Sequence, residues 1–179
     1  MTDRAAIIAT HLAPHFAAHH RLLEIGAGKG LVAQAIQRAT GAQISLVDVV
    51  DYNQTNLPLK VYDGQTLPFG DAAFDFSLLV FVLHHTPDPL PVLREALRVA
   101  RLGVIIAENH VAGGLRQRLT RMIDSIPHLQ YGVPICYRAQ TIGEWQSTFE
   151  QLSVRADLLG RFNMNAGFWQ NFVMRLAKR

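Results

Sequence analysis

Three glycines that directly follow a short apolar segment constrain the fold of this chain more than any other feature of its sequence. Residues 22–25 read Leu-Leu-Glu-Ile, and glycines stand at Gly26, Gly28 and Gly30. Apolar residues then recur at helical spacing from Leu31 onward. Glycine lets a backbone turn sharply and approach a ligand, and the first turn of a helix offers N–H groups without partners. The segment therefore predicts a strand, a ligand-binding turn and a helix.

Apolar strands and amphipathic helices alternate along the rest of the chain. Such alternation is typical of an open, mostly parallel α/β sheet with right-handed crossovers. One connection differs, because the polar stretch between Asp51 and Lys60 contains Pro58 and leaves little room for a full crossover helix. Further strands are predicted at 44–49, 59–62, 74–83, 104–107, 152–159 and 168–176, and further helices at 1–20, 89–100, 115–126 and 141–151.

The last two predicted strands form an antiparallel pair that closes the sheet. The fold class is therefore α/β, a Rossmann-like open sheet that is mostly parallel with a C-terminal antiparallel hairpin, in a three-layer αβα arrangement. A length of 179 residues suits a single domain over 1–179. Within that domain we expect the segment 109–151 to form a lid over the functional site.

Composition excludes several classes of protein. Hydrophobic residues make up 49% and charged residues 17% of the sequence, a balance unlike that of disordered chains. The longest apolar run, 78–83, is far below the roughly 20 residues that span a bilayer. Cys136 is the single cysteine, and the net charge is +3, so we expect a cytoplasmic protein with no membrane span and no nucleic-acid partner. The arginines closest together are Arg116, Arg118 and Arg121, which read as a solvated helix face.

The spacing of the glycines bears on the kind of cofactor. A dinucleotide-binding turn places its third glycine three residues after the second, at the position where this chain has Leu31. The spacing therefore disfavours a cofactor held by its pyrophosphate. Asp48 ends the second predicted strand, about 18 residues after Gly30. Its carboxylate is able to accept two hydrogen bonds.

The segment 24–30, Glu-Ile-Gly-Ala-Gly-Lys-Gly, resembles the first motif of class I S-adenosylmethionine-dependent methyltransferases. The segment 62–69 is similar to the D-x-x-x-L-P-F segment of that family, and 74–88 is similar to the fourth strand and following loop of its type 11 members. These matches run in family order from Leu22 to about Glu108. The resemblance implies that the chain transfers a methyl group from S-adenosyl-L-methionine.

The resemblance also implies which residues bind that cofactor. Asp48 would accept hydrogen bonds from the ribose, and Asp63 would accept one from the adenine amino group. Because the crossover helix is missing, Val49 or Tyr52 is expected to cover the adenine ring. The whole predicted cofactor-binding set is Glu24, Gly26, Ala27, Gly28, Gly30, Asp48, Val49, Asp63, Gly64, Gln65, Val80 and Phe81.

Catalytic residues are fewer, because a sulfonium already activates its methyl group and positioning supplies most of the rate. A base is needed only when the acceptor atom must lose a proton. His84, His85 and His110 follow or end strands where α/β sheets place their sites, and they are the candidates. They could equally be packing or surface histidines. No third ligand accompanies the adjacent pair, so no metal is predicted.

The methyl acceptor is expected to be a small molecule, and the protein a monomer or homodimer. Aromatic residues at Tyr131, Tyr137 and Trp145 could line an acceptor pocket or serve as packing. Two other functions stay open: an NAD-dependent oxidoreductase on a Rossmann-type sheet, which Leu31 disfavours, and a non-catalytic S-adenosylmethionine-binding module.

Overall fold

The computed structural model of the protein describes residues 4–110, 140–164 and 169–178. Its helices are α1 (Arg4–Leu12), α2 (Leu31–Thr40), α3 (Pro89–Val99) and α4 (Ile142–Glu150). Its strands are β1 (Arg21–Ile25), β2 (Gln43–Asp48), β3 (Leu59–Val61), β4 (Phe74–Val80), β5 (Ala100–His110), β6 (Val154–Met164) and β7 (Trp169–Lys178). Outside the described residues lie the predicted helix within 115–126, most of the predicted lid, and Arg116, Arg118, Arg121, Tyr131, Cys136 and Tyr137.

All seven strands form one sheet in the order β3-β2-β1-β4-β5-β7-β6. The first five strands are parallel to one another, whereas β7 runs antiparallel to both β5 and β6. Glu24 of β1 lies opposite Leu46 of β2 and Leu78 of β4. The carboxyl ends of β1, β2 and β4 consequently meet at one edge of the sheet. The predicted fold class, including the antiparallel closing hairpin, is confirmed.

Helices cover both faces of the sheet because alternate strand residues point to opposite sides. On one face, Leu12 of α1 and Ile36 of α2 belong to the same buried cluster as Leu22 of β1. On the other face, Leu93 of α3 and Trp145 of α4 are buried in a second cluster. The three-layer arrangement is therefore present, and Trp145 serves as core packing instead of lining an acceptor pocket.

Local signals in the sequence fix the ends of the helices. The side chain of Asp88 accepts the Leu90 N–H at 3.0 Å and caps α3, which has proline in its first turn. Thr141 and Glu144 form a reciprocal capping box at the start of α4. Helix α2 is capped by Gly41, whose φ of +75° lies in the left-handed region that glycine adopts readily.

Five expectations about the elements need correction. The first helix ends at Leu12, where a one-turn helix with Pro14 follows, and does not extend over the predicted 1–20. Strand β4 ends at Val80 and not at residue 83, because Phe81 has a φ of +57° and residues 83–85 form a one-turn helix. Strand β5 begins directly after α3 and runs to His110, well beyond the predicted 104–107. Strand β6 continues through Gly160 to Met164, with an irregular register between Leu158 and Gly160. Leu31, expected on the apolar side of α2, is 42% exposed.

Among the described helices, none combines the length and apolar character that crossing a membrane requires.

Candidate functional site

The glycine-bearing turn between β1 and α2 is held against the neighbouring strand β2. The N–H of Gly26 donates to Val47 O at 2.8 Å, and the N–H of Gly30 donates back to Ala27 O at 2.9 Å. The φ angles of Gly26, Gly28 and Gly30 are +69°, +53° and +72°. Because L-residues with a Cβ rarely adopt such angles, the turn requires glycine at all three positions.

The three glycines differ in what a side chain would meet. A Cβ at Gly26 would lie 2.7 Å from Cγ2 of Val82, and one at Gly30 would lie 2.9 Å from Oδ1 of Asn53. At Gly28, by contrast, no atom of the described residues lies within 4 Å of the Cβ position. Gly26 and Gly30 are thus required by packing, and Gly28 faces open space in which a ligand could approach the backbone.

That open space is a cavity of about 550 Å³. It lies at the carboxyl ends of β1, β2 and β4, beside the point where the strand order reverses, which is where open α/β sheets bind their ligands. Its volume is within the usual range for small-molecule and cofactor sites. The lining residues are Gly26, Gly28, Lys29, Asp48, Val49, Val50, Tyr52, Gln54, Tyr62, Gly64, Phe81, Val82, His85, Thr86 and Val92.

Asp48 connects the end of β2 to the glycine turn. One carboxylate oxygen accepts the N–H of Gly28 at 2.7 Å, and the other accepts the N–H of Val49 at 2.7 Å. Each oxygen has a second lone pair, so the carboxylate can accept further hydrogen bonds from a ligand in the cavity. The arrangement suits a group that carries two neighbouring hydroxyls.

Glu24 lies behind the turn, buried inside the sheet with an exposed fraction of 3%. Burial raises the pKa of its carboxyl from 4.5 to about 8, although a hydrogen bond from the backbone of Ala33 lowers it and the charge of Asp48 raises it further. The group is therefore mostly protonated at neutral pH. Within the described residues its Oε2 atom has no hydrogen-bond partner. A buried polar atom of this kind can serve a ligand or a bound water.

The segment 62–69 contributes the far end of the cavity. Oδ1 of the exposed Asp63 accepts the N–H groups of Gln65 and Thr66 at 2.8 and 2.9 Å, and these bonds lower the pKa of the Asp63 carboxyl. The turn brings Gly64 to the cavity, with a φ of +78°. Tyr62 lies beside it, and burial followed by the charge of Asp48 raises the pKa of its phenol.

Phe81 forms the wall next to the glycine turn. Its φ of +57° is unusual for an aromatic residue, and its N–H donates to Ala107 O at 2.8 Å. Backbone strain of this kind is concentrated at functional sites. The bend ends β4 and directs the chain over the cavity, where Val82 packs against Gly26.

The three candidate histidines have different surroundings. His84 is buried, and its Nδ1 lies 2.6 Å from Oε2 of Glu108. His110 accepts the N–H of Ile142 at 3.3 Å, and burial together with the charge of Arg161 lowers its pKa. His85 lies against the ring of His84, with 3.9 Å between centroids, and lines the cavity. In the described part of the chain, only His85 of the three is at the cavity.

The predicted cofactor-binding residues also divide into two groups. Six of them line the cavity: Gly26, Gly28, Asp48, Val49, Gly64 and Phe81. Along the described wall six others do not: Glu24, Ala27, Gly30, Asp63, Gln65 and Val80. The prediction omits Lys29, Val50, Gln54, Tyr62, Val82, Thr86 and Val92. All of these except Gln54 and Val92 adjoin a predicted site residue, but side-chain direction in loops has no periodic signal. Across residues 4–110, 140–164 and 169–178, no cluster of three His, Cys, Asp or Glu could hold a metal ion.

The sheet, the glycine turn and the acid at the end of β2 define a nucleoside-binding α/β protein of the Rossmann-like class. Comparison with known proteins agrees with the motifs. Residues 23–107 match the type 11 family described as "Methyltransferase domain". This match confirms the resemblance of that segment to the class I S-adenosylmethionine-dependent methyltransferases.

Three relatives illustrate the match. The uncharacterized methyltransferase YcgJ of Bacillus subtilis is 26% identical over 159 residues, covering 82% of this chain and 62% of the relative. Its crystal structure superposes with a TM-score of 0.73 at 16% identity, covering 99% of each chain. The 27-O-demethylrifamycin SV methyltransferase of Amycolatopsis mediterranei is 30% identical over 96 residues, covering 46% of this chain and 35% of the relative. The N-terminal domain of EvdMO1 with SAH bound has a TM-score of 0.65 at 20% identity, covering 100% of this chain and 82% of that one.

The chain thus spans 62% and 35% of the length of the two curated relatives. The structural likeness, at 16% and 20% identity, concerns the fold. The cofactor of the family is S-adenosyl-L-methionine, as predicted from the sequence.

Proposed function

We propose that this chain binds S-adenosyl-L-methionine in the 550 Å³ cavity and transfers its methyl group to a small-molecule acceptor. The observation that carries the proposal is the open face of Gly28 beside Asp48. The turn offers backbone without a side chain there, and the neighbouring carboxylate retains acceptor capacity for two hydroxyls. Asp48 would hold the ribose, and Gly26 with Gly28 would admit the remainder of the cofactor.

The predicted site residues fit this arrangement to different degrees. Val49, Gly64 and Phe81 reach the cavity with their own atoms and would enclose the nucleoside and the methyl donor. Asp63 would act indirectly, because its hydrogen bond from the Gln65 N–H stabilises the turn that brings Gly64 to the cavity. Five other residues stay predictions, because they do not line the cavity and would act on the cofactor only through the residues beside them. They are Glu24, Ala27, Gly30, Gln65 and Val80.

S-adenosyl-L-methionine supplies a methyl group that its sulfonium has already activated for displacement. The tasks left to the chain are to orient the acceptor and exclude water. For an acceptor atom that carries a proton, His85 is the residue placed to remove it. His85 would take the acceptor's proton onto its imidazole as the acceptor displaces S-adenosylhomocysteine from the methyl carbon, with the electrons of the broken carbon–sulfur bond remaining on sulfur. The resulting imidazolium would then release the proton to water.

A small acceptor is supported by the dimensions of the site. The cavity must hold the cofactor together with its acceptor, which leaves room for a compact molecule. The relative from Amycolatopsis mediterranei is named for a small-molecule acceptor, 27-O-demethylrifamycin SV. We propose a small molecule, and not nucleic acid, as the acceptor of a protein that works in the cytoplasm as a monomer or homodimer.

Methyl transfer is tested by following a labelled methyl group from the cofactor into a panel of small acceptors. The proposal predicts a labelled product for at least one of them. His85→Ala should lower turnover on a proton-bearing acceptor by about 100-fold, while cofactor affinity stays within about twofold. The matched control is His19→Ala at an exposed histidine, which should retain full turnover. Tight cofactor binding without any transfer would favour a non-catalytic module, and unchanged turnover in His85→Ala would remove the base.

A further inference from the structure

The loop at residues 51–57 occupies the place where the sequence leaves out a crossover helix. It contains no helix, as predicted, yet it is tightly organised. Oδ1 of Asn53 accepts hydrogen bonds from the N–H and the hydroxyl of Thr55, at 2.9 and 2.8 Å. Nδ2 of the same side chain donates to Leu57 O at 2.9 Å. One amide therefore closes the loop on itself.

The loop is also attached to the glycine turn. The N–H of Gln54 donates to Lys29 O at 3.1 Å. Gly30 permits this approach, because a Cβ there would lie 2.9 Å from Oδ1 of Asn53 and 3.1 Å from Oγ1 of Thr55. Leu57, 7% exposed, anchors the other end in the core beneath α2. Contacts within the chain thus hold the loop in this conformation.

This organisation determines which side chains reach the cavity. Tyr52 and Gln54, the two residues that flank Asn53, both line its wall, beside Asp48 and Lys29. A tyrosine ring offers an apolar face for a base or sugar, and a glutamine amide offers both donors and an acceptor for hydroxyls. Tyr52 is one of the two residues expected from the sequence to cover the adenine ring, whereas Asn53 and Gln54 have no part in the motifs that identify the family.

We propose that Tyr52 and Gln54 contact the nucleoside half of the cofactor, and that Asn53 is the positioning residue that holds them there. The loop replaces the missing crossover helix as a preorganised wall of the site. This inference rests on the proposed function, since it assigns residues to the same cavity. It also gives Gly30 a role: the glycine admits the loop and does not itself line the site.

Calorimetric titration separates the nucleoside contacts from the rest of the ligand. The probes are S-adenosylmethionine, S-adenosylhomocysteine and 5′-methylthioadenosine, which share adenosine, while only the first two carry the amino-acid end. Tyr52→Ala and Gln54→Ala should each weaken all three ligands by about tenfold, the usual order for the loss of one stacking or hydrogen-bonding contact. Gln43→Ala, at an exposed glutamine where β2 begins, is the matched control and should bind like the wild type.

The positioning role is tested at Asn53. Asn53→Ala should weaken the same three ligands by about tenfold although Asn53 itself does not line the cavity in the described structure. Asn53→Asp keeps the acceptor for Thr55 and loses the donor to Leu57, so its affinity should fall between wild type and Asn53→Ala. Asn56→Ala, at an exposed asparagine of the same loop, is the control. Circular dichroism and thermal unfolding establish whether each variant is folded. If Asn53→Ala does not fold, the affinities of Tyr52→Ala and Gln54→Ala decide whether the loop contacts the nucleoside.

Two results would overturn the inference while leaving the proposed function intact. One is wild-type affinity in both Tyr52→Ala and Gln54→Ala. The other is a loss restricted to S-adenosylmethionine and S-adenosylhomocysteine, which would place the contacts at the amino-acid end. Failure of the wild-type protein to bind any of the three ligands is a different result, and it would contradict the proposed function itself.

Discussion

Glu108 at the end of β5 holds the imidazole of His84, with 2.6 Å between Oε2 and Nδ1. The other carboxylate oxygen accepts the N–H of Leu83 at 2.8 Å. Both partners of the pair are buried, at 0% and 5% exposure. The carboxylate of Glu108 thus connects the one-turn helix 83–85 to strand β5. His85 is the last residue of that helix and lines the cavity.

Glu108→Gln should therefore destabilise the fold. An amide keeps one acceptor oxygen where the carboxylate offers two, so either the Leu83 N–H loses its acceptor or the His84 ring must take the tautomer that accepts from the amide NH2 group. We expect the free energy of unfolding to fall by about 1–3 kcal/mol, measured by urea denaturation. Glu150→Gln, at an exposed glutamate, is the control and should change it by less than about 0.5 kcal/mol. Equal losses in both variants would show that the buried pair does not stabilise the turn.

The raised pKa of Glu24 predicts how the stability of the protein depends on pH. Its pKa is about 8 in the folded protein against an ordinary value of 4.5, so the folded chain retains a proton that the unfolded chain releases. The stability linked to this proton is fully present below pH 4.5 and is lost as the pH rises through about 8. Glu24→Gln cannot ionise and should gain stability relative to the wild type as the pH increases over that interval. Urea denaturation across the interval checks this, and a constant difference between the two proteins would contradict it.

Alanine substitutions at Gly26 and Gly28 should affect the stability of the fold and the affinity for the cofactor differently. Gly26→Ala introduces a Cβ at 2.7 Å from Val82 in addition to backbone strain, so it should lower stability markedly. Gly28→Ala bears only the cost of its positive φ, about 1–2 kcal/mol, because its Cβ projects into the cavity. Thermal unfolding should rank Gly28→Ala as the more stable variant. Calorimetry should nevertheless show at least tenfold weaker cofactor binding for it, and wild-type affinity would contradict the assignment of Gly28.

Arg98 secures the segment that follows Gly64. Its guanidinium donates to Phe69 O at 2.9 Å, to Asp71 at 2.8 Å and to Leu67 O at 3.1 Å. A lysine ammonium cannot reproduce this fork of bonds. Arg98→Lys should therefore lower the free energy of unfolding by about 1–2 kcal/mol in urea. Arg94→Lys, at an exposed position of the same helix, should leave the free energy of unfolding unchanged. Equal free energies of unfolding for the two variants would contradict the role of the Arg98 hydrogen bonds.

The parts of the fold that could be predicted are those with a local signal. The apolar run before Gly26 and the acid Asp48 at a strand end are read directly from neighbouring residues. The missing crossover helix follows equally from Pro58 and the polar residues around it. These features locate the cavity, because parallel strands bring their carboxyl ends together at one edge.

The parts that could not be predicted depend on contacts between distant residues. His84 and His85 are adjacent and chemically identical, yet one lies in the core and the other at the cavity. The difference arises from Glu108, which is remote in sequence and captures only the first imidazole. Similarly, Gly30 matches a ligand-binding motif, while the structure shows that it makes room for the side chains of Leu46 and Asn53. The end of β4 was misplaced because apolarity continues through Phe81, where the backbone changes direction.

The central claim is that the cavity beside Gly28 and Asp48 holds S-adenosylmethionine. Calorimetric titration of the wild-type protein with S-adenosylmethionine, S-adenosylhomocysteine and NAD tests it most directly, with Asp48→Ala as the site variant and Asp157→Ala, on strand β6, as the control. We predict saturable binding of both sulfur nucleosides, no binding of NAD, loss of binding in Asp48→Ala and retention in Asp157→Ala. Binding of NAD alone, or sulfur-nucleoside binding that Asp48→Ala leaves unchanged, would contradict the claim.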